Sequence, residues 1–72
     1  MNHYHINILW SEEDGACVAD APDLETCSAL GRTPEEALKE LRRAMKAWLA
    51  SARRAGKPVP EARYRPAAHQ RT

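Results

Sequence analysis

The 72-residue chain is long enough for one small domain, and its net charge at pH 7 is +1. Hydrophobic residues make up 43% of it, but thirteen of these are alanine and two are cysteine, so only sixteen large apolar side chains remain. These numbers exclude an elaborate enzyme with a deep pocket. They predict a small interaction module whose core needs association with other chains for its stability.

Other broad classes are excluded by simple sequence features. No apolar stretch approaches the roughly 20 residues that are needed to span a bilayer. Residues 1–5 contain no basic segment followed by an apolar run, so we expect no secretory signal. The two cysteines, Cys17 and Cys27, are too few for a disulfide scaffold. We therefore expect a cytoplasmic protein in which both thiols are free and buried.

Charge is divided unevenly between the two halves of the chain. Residues 1–36 carry eight acidic side chains and one basic side chain, whereas residues 37–72 carry ten basic and two acidic side chains. Such asymmetry is typical of a segment that binds a polyanion, or of an assembly whose surfaces are electrostatically complementary. Charge alone does not choose between these two interpretations.

Three short strands are predicted in the first half of the chain. The first contains one alternating row of aromatic and β-branched side chains: Tyr4, Ile6, Ile8 and Trp10. An acidic turn that contains Gly15 connects it to a second strand over residues 16–20, so the two form a hairpin. Pro22 then ends the second strand because proline cannot donate to a ladder, and a third strand over residues 27–30 ends at Gly31.

The helix that follows has the clearest local signals. Thr33 is a good N-cap, Pro34 suits the first helical position, and Glu36 completes a capping box. The large apolar residues then recur with the helical period, which gives one apolar stripe. Gly56 suits the position just past the helix end, so the helix is predicted over residues 34–55. The sequence thus predicts an α+β fold in which one long helix packs on an antiparallel three-stranded sheet.

The predicted helix is longer than the sheet beneath it. Its residues would extend about 33 Å, whereas a strand of seven residues covers about 23 Å. The overhanging end carries three residues that we predict to be an oligomer contact: Trp48, Leu49 and Ala52. A dimer or a tetramer would cover them. Beyond the helix, a short fourth strand is predicted around residues 62–64. Residues 1–64 are therefore expected to form the domain and residues 65–72 a flexible tail.

Candidate chemical sites are weak in this sequence. His3 and His5 lie two apart on a strand, and no familiar zinc spacing of histidines and cysteines occurs. Asp14, Asp20 and Asp23 lie in turns or at a strand end, where aspartate is a routine turn former. No nucleophile elbow and no phosphate-binding loop is present. We expect no catalytic residue, no metal and no cofactor, and a degenerate metal-dependent nuclease remains only a third alternative.

One face of the predicted helix is basic. It contains six side chains: Lys39, Arg42, Arg43, Lys46, Arg53 and Arg54. Such a ridge can contact phosphates, which makes direct nucleic-acid binding the main alternative function. A solvated face, paired in part with Glu35 and Glu40, or a protein-binding face would look the same in sequence. The absence of interleaved aromatic residues on the ridge favours these other interpretations.

Several motifs follow one another along most of the chain. They are an acidic turn with glycine at residues 11–15, a Pro-Asp-Leu turn within residues 18–24, a Cys…Gly-x-Thr-x-Glu-Glu-Ala segment at residues 27–37, and a Pro-Val-Pro-Glu exit at residues 58–61. Their order and spacing resemble the HicB-like antitoxin family. The family commonly has Pro-Gly where this chain has Glu-Thr at residues 25–26.

The resemblance implies a β-β-β-α unit that is similar to part of the RNase H fold without its catalytic residues. It also implies oligomers and a non-enzymatic function, the binding and occlusion of a HicA-like toxin, which is a small RNA-cleaving protein. An orphan oligomeric interaction domain without any toxin is a further alternative. Acidic residues would suit such a basic partner, and the candidates are Glu12, Glu13, Asp14, Asp20 and Asp23. Antitoxins of this type usually continue into a C-terminal DNA-binding domain, so operator binding by these 72 residues alone is not expected.

Overall fold

The computed structural model describes residues 3–64, which form an antiparallel three-stranded sheet followed by one helix, an α+β arrangement. The elements in chain order are β1 (Asn7–Ser11), β2 (Ala16–Asp20), β3 (Ser28–Gly31) and α1 (Pro34–Arg54). The strand order is β1-β2-β3, so β2 is central and the other two strands lie at the edges. The predicted fold class is confirmed, and the predicted tail lies outside the described residues.

The register of the sheet assigns each strand residue to one face. The helix-facing positions are Ile8 and Trp10 on β1, Cys17 and Ala19 on β2, and Ala29 and Gly31 on β3. Cys17 and Ala19 are buried in the same cluster as Ala37 and Leu41 of α1, which identifies this side. The remaining positions form the open face: Asn7, Leu9, Ser11, Ala16, Val18, Asp20, Ser28 and Leu30.

The core between the sheet and α1 is made mainly of small side chains. Among the residues described, Leu24 and Leu41 are the largest side chains that are fully buried, and most other core residues are alanine or cysteine. The helix and β3 lie so close together that a Cβ atom on Gly31 would be 2.3 Å from the backbone nitrogen of Ala37. Only glycine fits at this position, because any side chain would collide with helix backbone.

Both ends of α1 have the predicted local structure. The Thr33 hydroxyl accepts from the Glu36 amide at 3.1 Å, and the Glu36 carboxylate reaches back to accept from the Arg32 amide at 2.7 Å. The helix ends at Arg54, one residue earlier than predicted. Gly56 follows with a φ of 71°, and its amide donates to the Arg53 carbonyl in a Schellman motif.

The first and fourth strand predictions need correction. β1 begins at Asn7 and not at residue 4. Asn7 pairs with Asp20, the last residue of β2, and the chain then turns at Pro22, so β2 offers no partner to residues 4–6. No strand forms at residues 62–64 of the described chain. There the amides of Arg63 and Tyr64 donate to the Asp23 carboxylate at 3.1 Å, so a side chain takes the place of a neighbouring strand.

The segment after the helix is also held by Tyr4. The hydroxyl of Tyr4 donates to the Pro60 carbonyl, and the ring of Tyr64 contacts His5 at a centroid distance of 4.7 Å. These contacts fold the segment back toward the start of the chain. Among residues 3–64, the helix α1 does not combine the length and apolarity that crossing a membrane requires.

Candidate functional site

The helix covers the sheet unevenly. It packs mainly on β3 and β2 and barely reaches β1. As a result, Ile8 and Trp10 are 39% and 54% exposed, although both lie on the helix-facing side of the sheet. The alternating pattern of the first strand had predicted one apolar face that contains both residues. The pattern is present, but the helix that would cover these two side chains lies over the other edge of the sheet.

The open face contains a second exposed apolar feature. Leu9 pairs directly with Val18, and Val18 pairs directly with Leu30, so the three side chains form one row across the sheet. We call these three residues the open-face row. Leu9 is 55% exposed and Leu30 is 52% exposed, at the two ends of the row. Single exposed apolar residues are normal, but a contiguous row is typical of an interaction surface.

Acidic residues flank this row. Glu12 and Glu13 are exposed in the turn that follows β1, and the half-buried Asp20 lies on the open face between Asn7 and Ser28. They are three of the five acidic residues that the sequence predicted to bind a partner.

The other two predicted acidic residues have roles within the chain. Asp14 accepts a hydrogen bond from the Ser11 hydroxyl at 2.9 Å, and its amide donates to the same hydroxyl at 3.2 Å, which fixes the turn. Asp23 accepts from two backbone amides of the C-terminal segment, those of Arg63 and Tyr64. Both carboxylates therefore hold structure within the chain; the turn role of Asp14 agrees with its place in the sequence, whereas the long-range contact of Asp23 does not follow from it.

The predicted oligomer contact at the helix end lies in a partly covered environment. Ala52 is buried, and Trp48 and Leu49 are half-buried against the core. The indole nitrogen of Trp48 donates to the Glu25 carbonyl at 2.9 Å, so the loop between β2 and β3 lies beside this end of α1. A groove of about 560 Å³ remains there, lined mostly by small side chains and by Trp48. The most exposed large apolar side chains lie instead on β1 and β3.

Thr26, beside that groove, has an unusual backbone conformation. Its φ is 56°, in the left-handed region that glycine adopts easily and a β-branched residue rarely does. The hydroxyl of Thr26 donates to the Glu25 carbonyl at 2.6 Å, the same oxygen that Trp48 contacts. The sequence pattern around Thr26 did not predict this conformation.

The basic ridge of α1 is exposed along its whole length. All six side chains are exposed, and they lie within about 120° of one another around the helix axis. The predicted pairing of Glu40 with Arg43 is present, with 3.5 Å between the carboxylate and the guanidinium. Exposed pairs of this kind contribute little to stability, so the ridge remains accessible to a partner.

Three titratable side chains among the described residues are buried: Cys17, Cys27 and Tyr4. Cys17 and Cys27 are buried and free, as predicted, and burial raises the pKa of the Cys27 thiol. Burial also raises the pKa of Tyr4, the nearby Asp23 carboxylate raises it further, and Arg53 acts in the opposite direction. No group of three or more potential metal ligands occurs among residues 3–64.

The chain matches no protein-family model, no curated protein and no solved structure.

Proposed function

We propose that the chain is a non-enzymatic HicB-like antitoxin module, which binds a small RNA-cleaving HicA-like toxin and occludes its active surface. The observation that carries the proposal is the open-face row, an apolar strip with Leu9 and Leu30 more than half exposed at its ends. The order of motifs along the chain supports the same function. The two buried free thiols agree with action in the cytoplasm.

The arrangement of the open face fits a basic protein partner. Protein interfaces combine an apolar centre that excludes water with a polar rim that stays near solvent. Here the row supplies the centre, and Glu12, Glu13 and Asp20 supply a negatively charged rim. A toxin that binds RNA has a positive surface, so complementary potentials would speed association and orient the two proteins. Inhibition then requires only that the toxin's RNA-binding surface is covered.

The test needs a candidate toxin, and the proposal predicts that the neighbouring reading frame encodes it as a small basic protein. Its RNA-cleaving activity is measured with increasing amounts of the 72-residue chain, and we expect stoichiometric inhibition. The double variant Glu12→Lys/Glu13→Lys should bind at least about tenfold more weakly and with a smaller salt dependence. Glu25→Lys is the matched control, because it reverses the same charge in the loop beside α1. Unchanged toxin binding by the double variant would contradict the proposed orientation, and full RNA cleavage in the presence of excess chain would contradict the function.

The exposed basic ridge supports a second candidate, direct binding of nucleic acid. A gel-shift titration over salt concentration tests it, because the logarithm of the affinity for duplex DNA falls by about 0.9 per phosphate contact for each unit of log salt. The variant Arg42→Gln/Lys46→Gln should then reduce that slope by about two. A slope near zero would exclude this candidate. A cleavage assay with added divalent metal tests the third alternative, a degenerate nuclease.

A further inference from the structure

The aspartate at the end of β2 is the only charged side chain in the three strands of the described chain. Asp20 lies on the open face of the central strand, between Asn7 of β1 and Ser28 of β3, and it is half-buried. Its neighbour on the same face along β2 is Val18, the centre of the open-face row. A single charge thus stands beside an apolar row in the middle of an uncovered sheet face.

No contact within the described chain explains this carboxylate. The two other aspartates, Asp14 and Asp23, accept hydrogen bonds that hold a turn and the C-terminal segment. The side chain of Asp20, in contrast, accepts no hydrogen bond and forms no ion pair within residues 3–64. Aspartate at a strand end often accepts from the turn that follows, but here it does not. Asp20 is therefore available to a group of another molecule.

The place of Asp20 determines which kind of group it can bind. A molecule that covers the open-face row also removes water from the half-buried carboxylate, and a desolvated carboxylate without a positive partner is costly. A partner that brings only apolar or acidic side chains is therefore rejected, whereas a partner that brings a cation is accepted. Glu12 and Glu13 impose no such condition, since both are exposed in the turn beyond the sheet.

We propose that Asp20 binds the guanidinium of an arginine side chain of the partner, with the aliphatic part of that arginine lying on the open-face row. Residues two apart on a strand are separated by about 7 Å, so an arginine that reaches Asp20 from the row covers Val18 with its methylene groups. Its planar fork can donate two parallel hydrogen bonds to one carboxylate. A lysine has the charge but lacks this fork, so arginine is the better fit.

This proposal deepens the proposed function and rests on it for the identity of the partner, the basic toxin. It separates the roles of the acidic residues. Glu12 and Glu13 act at a distance, so their loss should slow association and reduce its salt dependence. Asp20 acts in the formed complex, so its loss should mainly speed dissociation.

The first experiment tests the site without any toxin. The probe is the blocked peptide acetyl-Leu-Arg-Leu-amide, which is added to the isotopically labelled full chain while the amide chemical shifts are followed by NMR. We expect saturable shifts at Val18, Asp20 and Ser28. The same peptide with citrulline, which has the shape of arginine without its charge, should bind at least about fivefold more weakly, and the lysine peptide should fall between the two.

Two chain variants complete this experiment. Asp20→Asn keeps the shape of the side chain and should abolish the preference for arginine over citrulline. Glu25→Gln is the matched control, because it removes one exposed carboxylate from the loop beside α1, and it should keep the preference. The absence of saturable shifts on the open face, equal affinity of the unmodified chain for the arginine and citrulline peptides, or a lysine peptide that binds as tightly as the arginine peptide would overturn the proposal.

The second experiment uses the candidate toxin. Asp20→Asn should raise the concentration of chain that halves RNA cleavage by at least about tenfold, whereas Glu25→Gln should leave it unchanged. Both variants should keep the urea midpoint of the unmodified chain, because neither side chain has a partner within residues 3–64. A lower midpoint for Asp20→Asn alone would assign its carboxylate a role within the chain and overturn the proposal.

Failure of the arginine site and failure of the proposed function give different results. Inhibition by Asp20→Asn that is as strong as inhibition by the unmodified chain would overturn the arginine site and leave the function standing. RNA cleavage that the unmodified chain does not inhibit would contradict the function. The peptide experiment alone would then decide whether the arginine site exists.

Discussion

The two faces of the sheet are built from different kinds of side chain. The covered face has Cys17, Ala19 and Gly31 beneath α1, and the helix approaches until backbone nearly meets backbone. The open face has Leu9 and Leu30, which are larger and more than half exposed. In a chain with sixteen large apolar residues, placing these two where no helix covers them is informative. It indicates that the covered face provides stability, whereas the open face keeps the apolar surface on which the proposed function depends.

The largest expected effect on stability comes from truncating a leucine on the covered face, compared with truncating a leucine on the open face. Leu41 is fully buried beneath the sheet, so Leu41→Ala should lower the free energy of unfolding by about 4 kcal/mol. Leu30→Ala removes the same atoms from the open face and should change it by less than about 0.5 kcal/mol. Urea unfolding at low protein concentration measures both. Equal losses would show that the open face is part of the folding core.

A smaller effect should follow when the close approach on the covered face is blocked. Gly31→Ala adds a single methyl group that would lie 2.3 Å from the Ala37 nitrogen, so α1 must move away from β3. We expect a loss of about 3 kcal/mol in the free energy of unfolding. Gly15→Ala is the control, since its Cβ would meet nothing within 4 Å and only the positive φ opposes it. A Gly31→Ala variant as stable as the unmodified chain would mean that helix and strand do not pack this tightly.

The hydrogen bond from Tyr4 to the C-terminal segment should add about 1 kcal/mol to the free energy of unfolding at neutral pH. Tyr4→Phe removes the hydroxyl that donates to the Pro60 carbonyl and keeps the ring in place. The variant should therefore unfold at a lower urea concentration with an unchanged denaturant slope. An unchanged midpoint would show that the other contacts of the segment, with Asp23 and His5, are enough to hold it.

The same tyrosine should make stability depend on alkaline pH. The pKa of Tyr4 is raised above its ordinary value of 10.0 in the folded protein, so the folded state keeps the proton after the unfolded state has lost it. Stability is then complete below about pH 10 and falls as the pH rises from there toward the folded-state pKa. Cys27 adds the same trend from its ordinary value of 9.0. Tyr4→Phe should flatten the upper part of this decline, and an equally steep decline in the variant would assign it to other groups.

Sequence reasoning predicted the parts of the fold that depend on local hydrogen bonds. Thr33, Glu36 and Gly56 each act within one helical turn of their partners, so the helix ends could be placed within one residue. It failed where distant residues decide. Period two predicted one apolar face for the first strand, but whether a helix covers Ile8 and Trp10 on that face depends on the approach of α1 to β3. The strand predicted at residues 62–64 does not form, because the Tyr64 amide donates to the Asp23 carboxylate, 41 residues away, and that contact leaves no local pattern in the sequence.

The smallest predicted effect concerns the loop that borders the covered face. Thr26 keeps a positive φ that costs a non-glycine residue about 1–2 kcal/mol, so Thr26→Gly should relieve that strain. Glycine also gains entropy in the unfolded chain and loses the hydroxyl contact to Glu25, so the net stabilisation should be only about 0.5 kcal/mol. Thr26→Ala, which keeps the strain and loses the hydroxyl, should instead be destabilised. If Thr26→Gly destabilises the chain as much as Thr26→Ala does, the hydroxyl contact outweighs the backbone strain. The hydroxyl of Thr26 would then stabilise the chain by orienting the Glu25 carbonyl that Trp48 also contacts.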